Sequence, residues 1–377
     1  MKRTLCSVVW ILFLLNSLPA QVDSYILKRS VYKTPLTSIN TSPDGSLLLA
    51  GFNDGSFRLL DPETFEVKLQ VKDAHGKAIN AMDMPPKMDF ILSAGHNTIK
   101  LWDLSGKRLA IWNTHATTIW NLDISSDGKR AVSSAINKTF ILWDVQTGAI
   151  LERMRGHEDV TMSVCISPNN KFIASGSSDH TIKIWDMETL QVTKTLIGPT
   201  SDVYDVAISP DNSTLAVASK DRSIRIYDIE KENLDHVMKG HGDMVMEVEY
   251  SPDGNYLLSG SADHSLILWD LRSGEKIHSF LDNEEAVMDL VYHPSGNSFY
   301  SISYAGDLTR WEINPEIFVL RYFDVPYHDE LTSDPIFEPR RKGESKNDYL
   351  VREAEAAIKK GQVIDRYYQQ YLSEREQ

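Results

Sequence analysis

A Trp-Asp pair, or a near substitute, recurs through this chain with a period that does not drift. Leu60-Asp61, Trp102-Asp103, Trp143-Asp144, Trp185-Asp186, Tyr227-Asp228, Trp269-Asp270 and Trp311-Glu312 stand 42, 41, 42, 42, 42 and 42 residues apart. A fixed period of this length means one supersecondary unit repeated, each copy burying a face against its neighbours. Ser-Pro-Asp-Gly-like quartets accompany the pairs at 42–45, 125–128, 167–170, 209–212, 251–254 and 293–296. Proline presets the first turn position and Gly or Asn tolerates positive φ, so these quartets predict antiparallel hairpins. The segments around them, such as 172–177 and 181–185, are short and rich in β-branched and aromatic residues.

The clearest copy runs Gly156-His157, then Ser175 to Asp179, then Ile182 to Asp186, and Gly240-His241, Ser259, Asp263 and Trp269-Asp270 repeat it. On these residues the chain resembles the WD-repeat β-propeller family over about residues 25–323. The resemblance implies an all-β, seven-bladed propeller of four antiparallel strands per blade. It also implies a hydrogen-bonded set inside each blade: His157, Ser175, Asp179 and Trp185 in the fourth, His241, Ser259, Asp263 and Trp269 in the sixth. Physics agrees with a structural role, since an indole N–H and an imidazole inside a packed sheet need partners. Other units depart from the pattern. The third keeps His115, Ser133, Asn137 and Trp143, whereas the fifth has Pro199 for His and Tyr227 for Trp.

Two segments compete to close the ring. Residues 25–31 stand at the right distance before the first unit to supply the outer strand of the last blade, and 317–322 fit the same slot. The amino-terminal strand is favoured, because joining both chain ends removes exposed edges.

Outside the repeats, Lys2-Arg3, a mostly apolar run over 5–15 and Leu18-Pro19-Ala20 have the three-part form of a secretory signal peptide over 1–20. A secreted or periplasmic protein, free of the membrane after cleavage, is the expectation. The propeller is expected over 21–323, a linker rich in Pro and charge over 324–346, and an amphipathic helix over 347–377. In that helix Leu350, Ala354, Ala357, Gly361, Ile364, Tyr368 and Tyr371 step by four and three. Its apolar face is expected to lie on the propeller's rim or, over 347–372, to self-associate or pair with a partner helix.

A net charge of −14 repels phosphate backbones, so no nucleic-acid partner is expected. Two cysteines, Cys6 and Cys165, exclude a disulfide framework or a Cys-rich zinc site. The chain carries no phosphate-binding loop, dinucleotide fingerprint, His-Glu-x-x-His or Gly-x-Ser-x-Gly, and no catalytic residue is assigned. Asp179-His180 and Asp263-His264 suggest metal ligands, but repetition of the blade turn explains them; no metal or cofactor is expected.

Aligned on the repeat, Thr37, Asn80, Trp120, Met162, Tyr204, Met246 and Met288 occupy one equivalent position near the start of each innermost strand. Ile119, Val203, Val245 and Val287, one residue earlier, take the core place, so alternation points the former away from the blade core. Asn80, Trp120, Met162, Tyr204, Met246 and Met288 are therefore the candidate partner-binding residues, at the mouth of the channel on the propeller's top face. Adaptable Met and large aromatic side chains suit a protein or peptide. A non-enzymatic secreted or periplasmic interaction scaffold is the expected function. The alternative is a secreted propeller enzyme or small-ligand sensor with a site in the channel.

Overall fold

The computed structural model describes residues 25–113, 117–338, 341 and 344–375, in two compact units, Ile26–Glu312 and a helical unit from Ile313 onward. The leader expected over 1–20 and His115 lie outside the described residues.

The first unit is seven sheets of four antiparallel strands. Blades 1 to 6 each use four strands in sequence order; blade 1, for example, runs Leu36–Thr41, Leu48–Phe52, Phe57–Leu60 and Val67–Val71 from the channel outward. Blade 7 takes Val287–Tyr292, Ser298–Ser303 and Asp307–Glu312 from one end of the unit, and its outer strand, Ile26–Val31, from the other. The amino-terminal strand therefore closes the ring. Residues 317–322, the rival for this slot, are helical.

Packing is between blades rather than within them. Ala216, Ala218, Ile224 and Ile226 of blade 5 share a core with Val245, Val248, Tyr250 and Trp269 of blade 6. Close approach requires glycine on the second strands: a Cβ on Gly176 would lie 2.5 Å from Val203 Cγ1 of the next blade, and one on Gly260 would lie 2.6 Å from Val287 Cγ1. Inside the blades, Ser175 Oγ lies 2.8 Å from His157 Nε2 and accepts the Trp185 indole N–H at 2.8 Å. His157 Nδ1 lies 2.9 Å from Asp179 Oδ2. Burial lifts the Asp179 carboxyl, but hydrogen bonds from Thr181, the Glu158 N–H and His157 outweigh it and bring the pKa down to about 2. In blade 6, Ser259 Oγ stands 2.7 Å from His241 and accepts the Trp269 indole at 2.8 Å, while Asp263 reaches His241 Nδ1 at 3.3 Å. Blade 2 carries the same device in His75, Ser93 and Trp102. In blade 5 the Tyr227 hydroxyl donates to the Ile197 carbonyl instead.

The second unit is a helical hairpin. Helix α1, Pro315–Ser333, starts at Asn314, whose side chain accepts the Glu316 N–H, and kinks at Phe323. Residues 313–323, expected in the propeller, and 324–333, expected in a linker, belong instead to this unit and helix. The kink resolves the apparent conflict with Pro326: it places the proline in the first turn of a new helical segment, where no N–H is needed. A 3-10 turn, Pro335–Phe337, leads toward α2, Lys346–Arg375. Val319 and Tyr327 of α1 pack on Val363 of α2, flanked by Ile364, Tyr367 and Tyr368. Phe318 stacks on Tyr371 at 5.3 Å. The carboxy-terminal half of the predicted apolar face is therefore covered by α1, whereas Leu350, Ala354 and Ala357 are exposed. No described helix is long and apolar enough to cross a membrane.

Candidate binding face

The seven aligned residues share a feature that alternation alone does not supply. In every inner strand the pairing register slips at them: between Leu36 and Ser38, Ile79 and Ala81, Ile119 and Asn121, Thr161 and Ser163, Val203 and Asp205, Val245 and Glu247, and Val287 and Asp289. Thr37, Asn80, Trp120, Met162, Tyr204, Met246 and Met288 are thus the seven bulge residues. A bulge sets two residues against one on the partner strand and re-aims the side chains that follow.

All seven line one cavity of about 670 Å3 down the middle of the propeller unit. Trp120 is 41% exposed and Tyr304, which joins the lining from blade 7, is 70% exposed; the other predicted residues are half-buried. Asn80 is partly committed: its amide donates to the Ile119 carbonyl at 2.7 Å, tying blade 2 to blade 3. Thr37 does the same for blades 1 and 2 through the Ile79 carbonyl.

The bulges also turn the residues below them toward the channel. Uninterrupted alternation would send Asp205, Glu247 and Asp289 into the blade cores with Val203, Val245 and Val287. Instead they line the cavity, and so do Asp123 and Glu249 two residues further along their strands. Five carboxylates thus face the channel, none of which was among the candidate residues. The sequence signal is a three-residue step between core positions, as in Val203 to Val206 and Val245 to Val248, where strict alternation gives two.

Most of these carboxylates act as clamps between blades. Asp289 accepts the Ile39 N–H at 2.8 Å, Asp205 the Val248 N–H at 3.1 Å and Glu249 the Tyr292 N–H at 2.6 Å. Asp123 accepts from Ile166, and Asp83, beside the cavity, accepts from Ile124 at 2.8 Å. Each inner strand is the edge of its sheet, and the N–H groups it turns to the channel have no ladder partner. The preceding blade supplies one. Burial raises these carboxyls, taking Asp123 to about 6, Asp289 to about 7 and Glu249 to about 8. Burial also raises Asp205 and Glu247, the latter further because Asp205 and Asp289 are close. Convergent acids of raised pKa are the feature sought for a channel enzyme. Here Asp123, Asp205, Glu249 and Asp289 each accept a backbone N–H of the next blade, and among the described residues no Lys, Arg or His lines the cavity. Cys165 also faces it, with burial, Asp123 and Asp205 pushing the thiol well up, away from a reactive thiolate. Among the described residues, no group of three or more His, Cys, Asp or Glu has a metal-binding arrangement.

Comparison with known proteins adds to this geometry. The family described as "WD domain, G-beta repeat" matches residues 26–61, 66–103, 106–144, 148–186, 190–228 and 232–270. Over 157 residues the chain is 27% identical to U3 small nucleolar RNA-associated protein 12 of Saccharomyces cerevisiae, covering 39% of this chain and 16% of that protein. It is 29% identical over 155 residues to nuclear distribution protein PAC1 of Fusarium vanettenii, covering 38% of this chain and 34% of the relative. It is 29% identical over 109 residues to human DDB1- and CUL4-associated factor 10, covering 28% and 20%. The similarity therefore spans about a third or less of each relative's length. These relatives overturn the expectation of a secreted or periplasmic location: their names refer to a small nucleolar RNA, to nuclear distribution and to a factor associated with DDB1 and CUL4, not to an exported protein.

Proposed function

Since the chain belongs to the WD-repeat family, we propose that it is a non-enzymatic scaffold whose channel mouth docks a protein or peptide. The single observation that carries this reading is the ring of bulge residues. It sets Trp120, Met162, Tyr204, Met246 and Met288 around one opening, with Trp120 and Tyr304 exposed beside it. Large aromatic groups and pliable methionines on a rigid rim supply contact area at small entropic cost. Carboxylates in the channel hold the rim in place. The names of the relatives support work inside the cell.

The test is the double variant Trp120→Ala, Met246→Ala, compared with the unaltered chain by quantitative affinity capture from cells carrying a carboxy-terminal tag. Loss of a defined set of partners, with unchanged thermal unfolding, is the expected result. Capture of every partner at the original level would sink the docking face. Tagged chain found only in the medium would overturn the interior location.

A further inference from the structure

The cavity beneath the mouth is unbalanced in charge. Asp123, Asp205, Glu247, Glu249 and Asp289 line it, with Asp83 just behind, and among the described residues no cationic side chain does. The other titratable groups at its wall are Cys165, Tyr204 and Tyr304. Depth is ordered as well. On strands that rise about 3.3 Å per residue, the Asp205, Glu247 and Asp289 level lies one residue below the apolar rim, and the Asp123 and Glu249 level two residues deeper. An incoming chain thus meets apolar surface first and carboxylates only below it.

We propose that the channel receives the side chain of one lysine or arginine from a partner peptide, whose neighbouring apolar residues rest on Trp120, Tyr304 and Met246. This rests on the reading of the mouth as a docking face and names the chemistry of its occupant. Burying a cation among carboxylates is favourable only where they ionise to meet it. Acids that hold protons near neutral pH satisfy that condition: a proton leaves as the ammonium or guanidinium enters, and the cavity's charge is conserved. The long aliphatic stem of either residue crosses the apolar rim while its charged end reaches the acids.

The test uses the full chain and a positional-scanning library of capped hexapeptides. Lysine or arginine should be selected at one position, with aliphatic or aromatic residues beside it. Replacing that residue by norleucine in the best peptide should weaken binding tenfold or more, as should Glu247→Gln in a protein that still unfolds cooperatively. Affinity should rise with pH between 6 and 8, by up to about tenfold per unit for each proton exchanged, and calorimetry in buffers of different ionisation enthalpy should register proton release. Selection of neutral or acidic residues, or a norleucine peptide that binds equally well, overturns the cation while leaving the docking face intact. A library without any binder overturns both.

Discussion

The Ser163 hydroxyl of blade 4 donates to Asp205 Oδ1 of blade 5 at 2.7 Å, and the other Asp205 oxygen accepts the Val248 N–H of blade 6 at 3.1 Å. One carboxylate thus links three consecutive blades. Asp205→Ala takes the acceptor away from the Ser163 hydroxyl and from the Val248 N–H, and it should destabilise the propeller by about 2 kcal/mol. Asp205→Asn, which keeps an acceptor oxygen, should lose less. Urea unfolding of both variants checks the order.

The channel acids give the fold an unusual response to pH. A carboxyl raised by folding contributes stability that is complete below its unfolded pKa, near 4, and is lost as pH rises through the folded value. With Asp123 at about 6, Asp289 at about 7 and Glu249 at about 8, stability should fall from pH 4 toward pH 8. Asp179, depressed to about 2, has the opposite sign and loses its contribution as pH falls from about 4 to 2. Glu249→Gln should flatten the slope between pH 4 and 8, measured by denaturant midpoints across that range.

Ser175 serves two buried donors or ring nitrogens at once. Ser175→Ala should cost about 1–3 kcal/mol by leaving the Trp185 indole N–H and His157 Nε2 unpaired. The matching change in blade 5 has no such pair to break, because Val217 takes the serine's place there. Val217→Ala should report only lost packing, so differential scanning calorimetry at pH 5 and pH 7 separates the two causes.

Gly176 and Gly260 test the packing between blades. Alanine at either must push back Val203 or Val287 of the next blade, and should cost about 1–3 kcal/mol. A compensating Val203→Ala should recover part of the loss at Gly176, and a double-mutant cycle measures how much.

Much of this architecture was legible because repetition averages out local ambiguity. Even where Tyr227 stands for Trp and Leu60 for another, the 42-residue step carries the register from neighbouring units. The bulges were not legible in the same way. Thr37 and its equivalents were found by counting from the repeat, but strict alternation assigned Asp205 and Asp289 no place on the channel. Only the apolar spacing Ile79 to Met82 and Ile119 to Leu122, read across all blades, reveals that each inner strand changes face. The linker expected over 324–346 gives way for a related reason: a kink at Phe323 puts Pro326 in the first turn of a new helical segment.

Arg29 Nε donates to Thr309 Oγ1 across 280 residues of chain. During synthesis at roughly 5–20 residues per second, the strand Ile26–Val31 therefore waits about 15–60 s for the strand it will join. Over that interval its sticky edge lies free beside the nascent polypeptide. Its two lysines or arginines, Lys28 and Arg29, are the kind of residue that discourages premature pairing with other chains, so the last step of assembly is prepared in a strand that precedes the first blade.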